Sequence, residues 1–259
     1  MYLKVLVINA SPRGQKGNTI KLTDAFVEGM RSAAECSVKT FDLRTMKISQ
    51  CVGCFSCWRE TPGACVFKDD VEMILDYLLA ADVVIWSFPL YFFGMPSKLK
   101  SLFDRQLPLM TPIMSGNEDT MINGGHKFRF DSGKKRFMAI STCGFYYTPA
   151  IYDGITGQLN MVYGEGGYER IFVGEGELFN KPFLKKKIDA YLVHVHQAGR
   201  EFALGGITDE TRGRVTEMIY PIKFYADIAD RSWGVSEDDF KPRDEETLAR
   251  VNKLKKTFE

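Results

Sequence analysis

Five strand-like segments alternate along the chain with segments whose apolar residues recur every three or four positions. The strand-like segments are Leu3 to Ile8, Ser37 to Asp42, Asp82 to Phe88, Arg136 to Thr142 and Tyr168 to Val173. The helical segments are Thr19 to Ala33, a stretch that starts at Asp69 and Asp70, Ser97 to Leu107, Ile151 to Val162 and Lys181 to Leu204. Near-continuous apolar runs are typical of strands buried on both faces. Strands that alternate with helices predict a parallel sheet covered by helices on both sides.

A polar loop of small residues follows the first strand. Its candidate ligand-binding residues are Ser11, Arg13, Gly17, Asn18 and Thr19. Hydroxyls and backbone N–H groups would converge there at the positive end of the next helix, which is a site for a phosphate group. Neither the G-x-G-x-x-G nor the G-x-x-x-x-G-K-[ST] phosphate motif is present at this loop. The alternative is an ordinary tight connection between a strand and a helix.

Two further loops complete the predicted binding edge. The loop after the third strand is too apolar for an ordinary surface turn and consists of Pro89, Leu90, Tyr91, Phe92, Phe93 and Gly94. The loop after the fourth strand offers the hydroxyl of Thr142 and the small residue Gly144. Five strands suit the order 2-1-3-4-5, in which ligands bind at the carboxyl ends of the strands. A planar ring with a polar edge would find apolar contact and N–H donors there, although the three aromatic residues could instead cover the core.

These loops resemble those of a known enzyme family. The sequence Ser-Pro-Arg-Gly…Gly-Asn-Thr resembles the FMN-phosphate loop of flavodoxin-like NAD(P)H-dependent FMN reductases, and Ser87 to Tyr91, with Pro96 to Arg105, resembles their second flavin loop and following helix. The resemblance covers most of residues 3–200. It implies a flavodoxin-like three-layer sandwich whose three loops bind FMN. It also implies hydride transfer from NAD(P)H and electron delivery to a quinone, flavin, aromatic or protein acceptor. We assign no acid–base residue, because flavin hydride transfer needs none.

Four clustered cysteines carry the most specific chemistry in the sequence. Cys51, Cys54, Cys57 and Cys65 follow the pattern C-x2-C-x2-C-x7-C, and such short spacers can place thiolates around one centre. The pattern resembles the compact motif of the iron–sulfur flavoproteins, a branch of the same fold. This resemblance implies a [4Fe-4S] cluster that exchanges electrons with FMN. Zinc, a redox-active Cys54/Cys57 pair and four reduced thiols are the alternatives.

Charge, hydropathy and cysteine usage define the remaining expectations. The net charge of +1 for 259 residues does not favour nucleic acid or an anionic membrane as a partner. No apolar run approaches the roughly 20 residues of a membrane-spanning helix, and the chain begins directly with a strand. With unevenly spaced cysteines, these features predict a cytoplasmic protein.

The domain organisation is predicted from a glycine break and a segment without periodicity. We expect an FMN-binding domain over 1–204 with an insertion or lid at about 110–135, and an extension over 205–259 packed on the core or on a partner subunit. A homodimer or homotetramer is expected.

Two alternative functions remain open. One is a non-catalytic electron carrier that receives electrons from ferredoxin, and the other is a binding module without flavin.

Overall fold

The computed structural model describes residues 2–114, 125–131, 133–146, 150–234 and 245–257. Five parallel strands form its sheet: β1 (Tyr2–Asn9), β2 (Glu35–Asp42), β3 (Val83–Pro89), β4 (Arg136–Thr142) and β5 (Glu169–Val173). Their order is β2-β1-β3-β4-β5, which confirms the predicted order 2-1-3-4-5. Of the predicted lid at 110–135, residues 115–124 and 132 lie outside the described residues.

Eight helices lie within the described residues. They are α1 (Asn18–Ala33), α2 (Val71–Ala80), α3 (Ser97–Asp104), α4 (Asp153–Tyr163), α5 (Lys185–Leu204), α6 (Asp209–Thr216), α7 (Ile222–Trp233) and α8 (Glu245–Lys255). Helices α2, α3 and α4 share one hydrophobic core with the strand residues Leu6, Trp86 and Phe88. Because side chains alternate across a strand, the intervening residues point to the opposite face, where α1 packs against α5.

Two glycines explain how closely α1 and α5 approach each other. A Cβ atom added at Gly29 would overlap the carbonyl oxygen of His196, and one added at Gly199 would overlap that of Phe26. The helices therefore contact each other through backbone at these two places. Any larger residue at either position would push them apart, since packed interiors leave little room for added atoms.

Some predicted helix ends differ from the observed ones. Helix α3 ends at Asp104 and not at Leu107, because the chain then turns into a short 3-10 segment that includes Pro108. Proline has no N–H group to continue the helical hydrogen bonds. Helix α5 begins at Lys185 and not at Lys181, after a similar turn that starts at Pro182.

The chain divides into two compact units, Met1–Ile219 and Tyr220–Glu259. Helix α6 belongs to the first unit, where it packs against α5 and β5, and the predicted division at 204/205 would assign it to the second. That domain assignment stays a prediction. The described part of the second unit consists of α7 and α8, and Tyr220 stacks on Phe224 there. None of the described helices is long and apolar enough to cross a membrane.

Candidate functional site

The loop after β1 forms a pocket of donors at the start of α1. Gly17 precedes the helix in an extended conformation, and no side chain caps the first turn. The first N–H groups of a helix have no partner within it, and together with the helix dipole they favour an anion at this end. The side chains of Ser11 and Thr19 are both buried beside it. A Cβ atom at Gly17 would overlap Oγ of Ser11, so this position requires glycine.

The side chain of Asn9 hydrogen-bonds to this loop through its oxygen, while its amide nitrogen has no partner among the described residues. Its Oδ1 accepts a hydrogen bond from the backbone N–H of Ser11 at 3.0 Å. Its Nδ2 is buried and has no hydrogen-bond partner among the residues that the structure describes. Asn9 was not predicted as a site residue, although a polar residue that ends an apolar strand was a signal for it. Such an unsatisfied donor is unfavourable unless a ligand or water completes it.

Hydroxyl groups connect the first and third predicted loops. Thr19 Oγ1 and Thr142 Oγ1 lie 2.6 Å apart, and both residues are buried. Only one of the two hydroxyl hydrogens is used in that bond, so the pair retains one donor. Asn18 accepts a hydrogen bond from Asn180, whereas the side chain of Arg13 is exposed. The structure therefore joins Thr19 to Thr142 and places Ser11 Oγ beside Gly17. The Arg13 backbone N–H group donates to Ser11 Oγ at 3.3 Å, but the Arg13 side chain takes no part in this cluster.

The second loop presents aromatic side chains to solvent. Tyr91 and Gly94 exchange backbone hydrogen bonds of 3.0 and 2.9 Å across a tight turn. Phe92 and Phe93 occupy the two central positions with φ of 45° and 63°, where Asn-Gly is the usual choice. Left-handed phenylalanines are strained, and such strain persists at functional sites. Phe92 is 98% exposed, so it does not cover the core, which was the alternative for this residue.

The second and third loops lie against each other. The N–H group of Leu90 donates to the carbonyl oxygen of Thr142 at 2.9 Å. Phe93 stacks on Phe145 with ring centroids 5.5 Å apart. A Cβ atom added at Gly144 would meet nothing within 4 Å, so open space adjoins this part of the loop. The three predicted loops thus form one continuous edge with a polar end and an aromatic end.

All four clustered cysteines line one small pocket of about 20 Å³. Cys51 and Cys54 are exposed, Cys65 is half-buried and Cys57 is buried. Burial raises the pKa of the Cys57 thiol, and the nearby thiols of Cys65, Cys54 and Cys51 raise it further. No group of three or more His, Cys, Asp or Glu side chains in the described ranges is already arranged as a metal site. The thiols are therefore gathered in one place but not in coordination geometry.

A buried ion pair closes the segment that carries these cysteines. Arg105 donates two hydrogen bonds of 3.0 Å to the carboxylate of Asp69 and a third, of 2.9 Å, to the carbonyl oxygen of Ser49. The Asp69 carboxylate also accepts the N–H groups of Ser49 and Val71. We call this set of contacts the Arg105–Asp69–Ser49 clamp. It joins the chain before Cys51 to the chain after Cys65.

Burial alone would raise the pKa of Asp69, but hydrogen bonds from Arg105, Ser49 and Val71 lower it to about 2. The carboxylate is therefore charged at neutral pH. The sequence pattern indicated only a helix start at Asp69 and a family helix that includes Arg105. It contained no sign that the two side chains meet.

Comparison with known proteins agrees with this geometry. Residues 3–162 match the sequence pattern of the flavodoxin-like fold family. The chain belongs to this family. An iron-sulfur flavoprotein of Methanocaldococcus jannaschii is 38% identical to this flavodoxin-like chain over 109 residues, which are 41% of the chain and 53% of the relative. The chain thus spans about half the length of the first curated relatives it matches.

Two further proteins share larger parts of this flavodoxin-like chain. An FMN-dependent NADH:quinone oxidoreductase of Azospirillum brasilense is 27% identical over 176 residues, covering 60% of the chain and 76% of the relative. The structure of an NAD(P)H:quinone oxidoreductase from Methanothermobacter marburgensis superimposes with a TM-score of 0.57 at 18% identity, covering 78% of the chain and all of that protein. At this identity the second similarity supports the fold alone.

The chemistry of both candidate sites fits the groups that the family resemblance implies. The uncapped helix start, the buried hydroxyls and the unsatisfied Asn9 amide suit a phosphate ester. Four thiols around one pocket suit iron or zinc. A much larger cavity, of about 1190 Å³, lies beside β5 and α6, and none of the predicted site residues lines it. The donors converge at the loops, which are therefore the candidate site.

Proposed function

We propose that this chain is an FMN-dependent oxidoreductase that takes hydride from NAD(P)H and passes electrons to a quinone, flavin, aromatic or protein acceptor. The observation that carries the proposal is the uncapped start of α1, beside which Ser11 and Thr19 are buried. Bound FMN would supply the redox chemistry, and the chain's part would be to bind, orient and shield it. The FMN-dependent relative in Azospirillum brasilense supports this assignment.

The first loop would hold the phosphate of FMN. Ser11 and the Thr19–Thr142 hydroxyl pair would donate hydrogen bonds, with the N–H groups of Asn18 and Thr19 adding to them. The N–H group of Gly17 already donates to the carbonyl oxygen of Gly14 at 3.1 Å. These are charge-assisted bonds to an anion, which are stronger than bonds between neutral groups. The Asn9 amide, which is buried without a partner in the described part of the chain, could bond either the phosphate or a water beside it. Arg13 would contribute only long-range attraction, since its side chain is exposed.

The second and third loops would hold the flavin ring. Pro89, Leu90 and Tyr91 would line it, with Gly94 and Gly144 allowing the ring to approach the backbone. Phe92 and Phe93 would shield the ring from water, because the tight turn holds them at the surface in a fixed conformation. NAD(P)H would approach the ring face that the chain leaves open. A second copy of the chain could cover these exposed aromatic residues, which supports a homodimer or homotetramer as the assembly.

Cys51, Cys54, Cys57 and Cys65 would hold a [4Fe-4S] cluster at the rim of the pocket that they share. The iron-sulfur flavoprotein of Methanocaldococcus jannaschii supports this assignment. The exposure of Cys51 and Cys54 would give a protein partner such as ferredoxin access to the cluster. This same observation favours the second candidate function, a non-catalytic carrier of electrons between proteins. Six free thiols agree with a cytoplasmic location.

The test is an anaerobic absorption spectrum of the purified chain with flavin, iron and sulfide analysis. We expect about one FMN per chain, with four irons and four sulfides in addition to the flavin bands. NADH, NADPH and reduced ferredoxin are then offered separately with a quinone present. Rapid reduction by a nicotinamide supports the enzyme, whereas reduction by ferredoxin alone supports the carrier. A colourless chain that takes up no added FMN would refute both functions, and zinc without sulfide would refute the cluster.

A further inference from the structure

The guanidinium group of Arg105 is buried, and its hydrogen bonds are only partly used. Its side chain is 2% exposed. The two Nη atoms bond Asp69 and Ser49, and the ring of Phe67 lies 5.2 Å from the central carbon. The Nε–H group is also buried, yet it has no hydrogen-bond partner in the part of the chain that the structure describes. The clamp therefore accounts for two nitrogens of Arg105 and leaves the third available.

Arg105 also lines the pocket that the four cysteines share. It is the only basic side chain among the described residues that line it. Cys65 lines the same pocket. Burial lowers the pKa of the Arg105 guanidinium, but the hydrogen bond to Asp69 and the neighbouring Cys65 thiol raise it above its ordinary value. A donor next to one thiol of the set is thus already in place, and its position is fixed by the ion pair with Asp69.

Charge and hydrogen bonding at the sulfur atoms are known determinants of cluster potential. Added electrons increase the negative charge on the thiolates, so a nearby cation or an N–H···S bond stabilises the reduced form more than the oxidised form. Residues that hydrogen-bond to metal ligands orient those ligands and thereby also tune the properties of the metal. Arg105 supplies both a positive charge and a free N–H group, whereas Asp69 partly offsets that charge.

We propose that Arg105 is a positioning residue which donates an N–H···S hydrogen bond to Cys65 and raises the reduction potential of the cluster bound there. Asp69 holds the guanidinium in place and moderates its charge. The inference rests on the proposed function, because it requires a cluster on the four cysteines. It predicts that substitutions at the two members of the ion pair shift the potential in opposite directions.

The experiment compares Arg105→Lys, Arg105→Gln and Asp69→Asn with the wild-type chain. Each protein is purified anaerobically with its cofactors, its iron and sulfide are counted, and its cluster potential is measured by redox titration with electron paramagnetic resonance detection. We expect a more negative cluster potential in both Arg105 variants. The shift should be larger in Arg105→Gln, because glutamine lacks the positive charge that lysine keeps. We expect a more positive potential in Asp69→Asn. The matched control is Arg212→Lys, which weakens an ion pair with Glu169 and should leave the potential unchanged.

The sign of the shift separates tuning from mere structural support. A damaged clamp would move all three potentials the same way or lower the iron content of all three variants, and either result would overturn the inference. If the Arg105 variants alone lose iron while Asp69→Asn retains it, the role of Arg105 is structural, through its bond to the Ser49 carbonyl oxygen, and the inference is overturned. Full iron with unchanged potentials would also overturn the inference. A wild-type chain without iron would refute the cluster itself, and the inference with it.

Discussion

Asp69→Asn is the most informative test of the clamp around the cysteine segment. The substitution keeps the shape of the side chain but removes the charge that faces Arg105. The two side chains are 1% and 2% exposed, so the guanidinium would remain buried without its counter-charge. Breaking a buried pair in this way costs about 3–5 kcal/mol of the free energy of unfolding. We expect a loss of that size at pH 7 in the iron-free and flavin-free chain.

Part of this loss depends on pH, and its size follows from the pKa of Asp69. That pKa is lowered from 3.8 to about 2 by the hydrogen bonds that outweigh burial. Because the folded value is the lower one, the stabilisation is fully present above pH 3.8 and disappears as the pH falls through 2. The whole difference corresponds to about 2.4 kcal/mol, of which about 1 kcal/mol is lost by pH 3. The difference in the free energy of unfolding between wild type and Asp69→Asn should therefore be smaller at pH 3 than at pH 7 by that amount.

Urea unfolding followed by tryptophan fluorescence at pH 7, 5 and 3 measures this gap. A Trp233→Phe background confines the signal to Trp58 and Trp86, which lie in the first unit. Asp70→Asn serves as the control for removing one negative charge at this helix start, because Asp70 bonds the Lys47 N–H group and not Arg105. A gap that stays constant between pH 7 and pH 3 would show that the ion pair with Arg105 does not hold the Asp69 pKa low.

Three further tests address the loops that we propose bind FMN. Thr19→Ala should weaken FMN binding by about 5- to 150-fold in a fluorescence titration. The control Thr23→Ala removes a buried hydroxyl one turn further along α1 and should leave the affinity unchanged. Equal losses of affinity in the two variants would refute the phosphate site. Gly17→Ala should destabilise the chain by about 1–3 kcal/mol and weaken FMN binding, because its methyl group displaces a buried hydroxyl; wild-type urea midpoint and affinity would contradict this. Replacing Phe92 by Asn and Phe93 by Gly should raise the free energy of unfolding by about 1–3 kcal/mol yet weaken FMN binding. Unchanged affinity would show that these rings do not contact the flavin.

Local patterns in the sequence were enough to predict the order of strands and helices and the three loops at the carboxyl edge of the sheet. Apolar runs and helical spacing depend on neighbouring residues, so they can be read locally. The parallel order 2-1-3-4-5 followed from the alternation of strands and helices together with the family resemblance, and the structure confirms it. Ser11, Thr19 and Thr142 could be predicted as one group, because the carboxyl ends of these strands share an edge.

Which distant side chains contact each other could not be predicted from these local patterns. Thr19 bonds Thr142 over a separation of 123 residues, and Asp69 bonds Arg105 over 36 residues. Such pairs depend on how distant segments pack, and no local period encodes them. Asp69 looked like an ordinary first-turn acid, although its burial beside Arg105 makes it the centre of the clamp around the cysteines. The chemistry of each loop was therefore visible in the sequence, but the contacts that arrange it arise from the packing of the sheet and its helices.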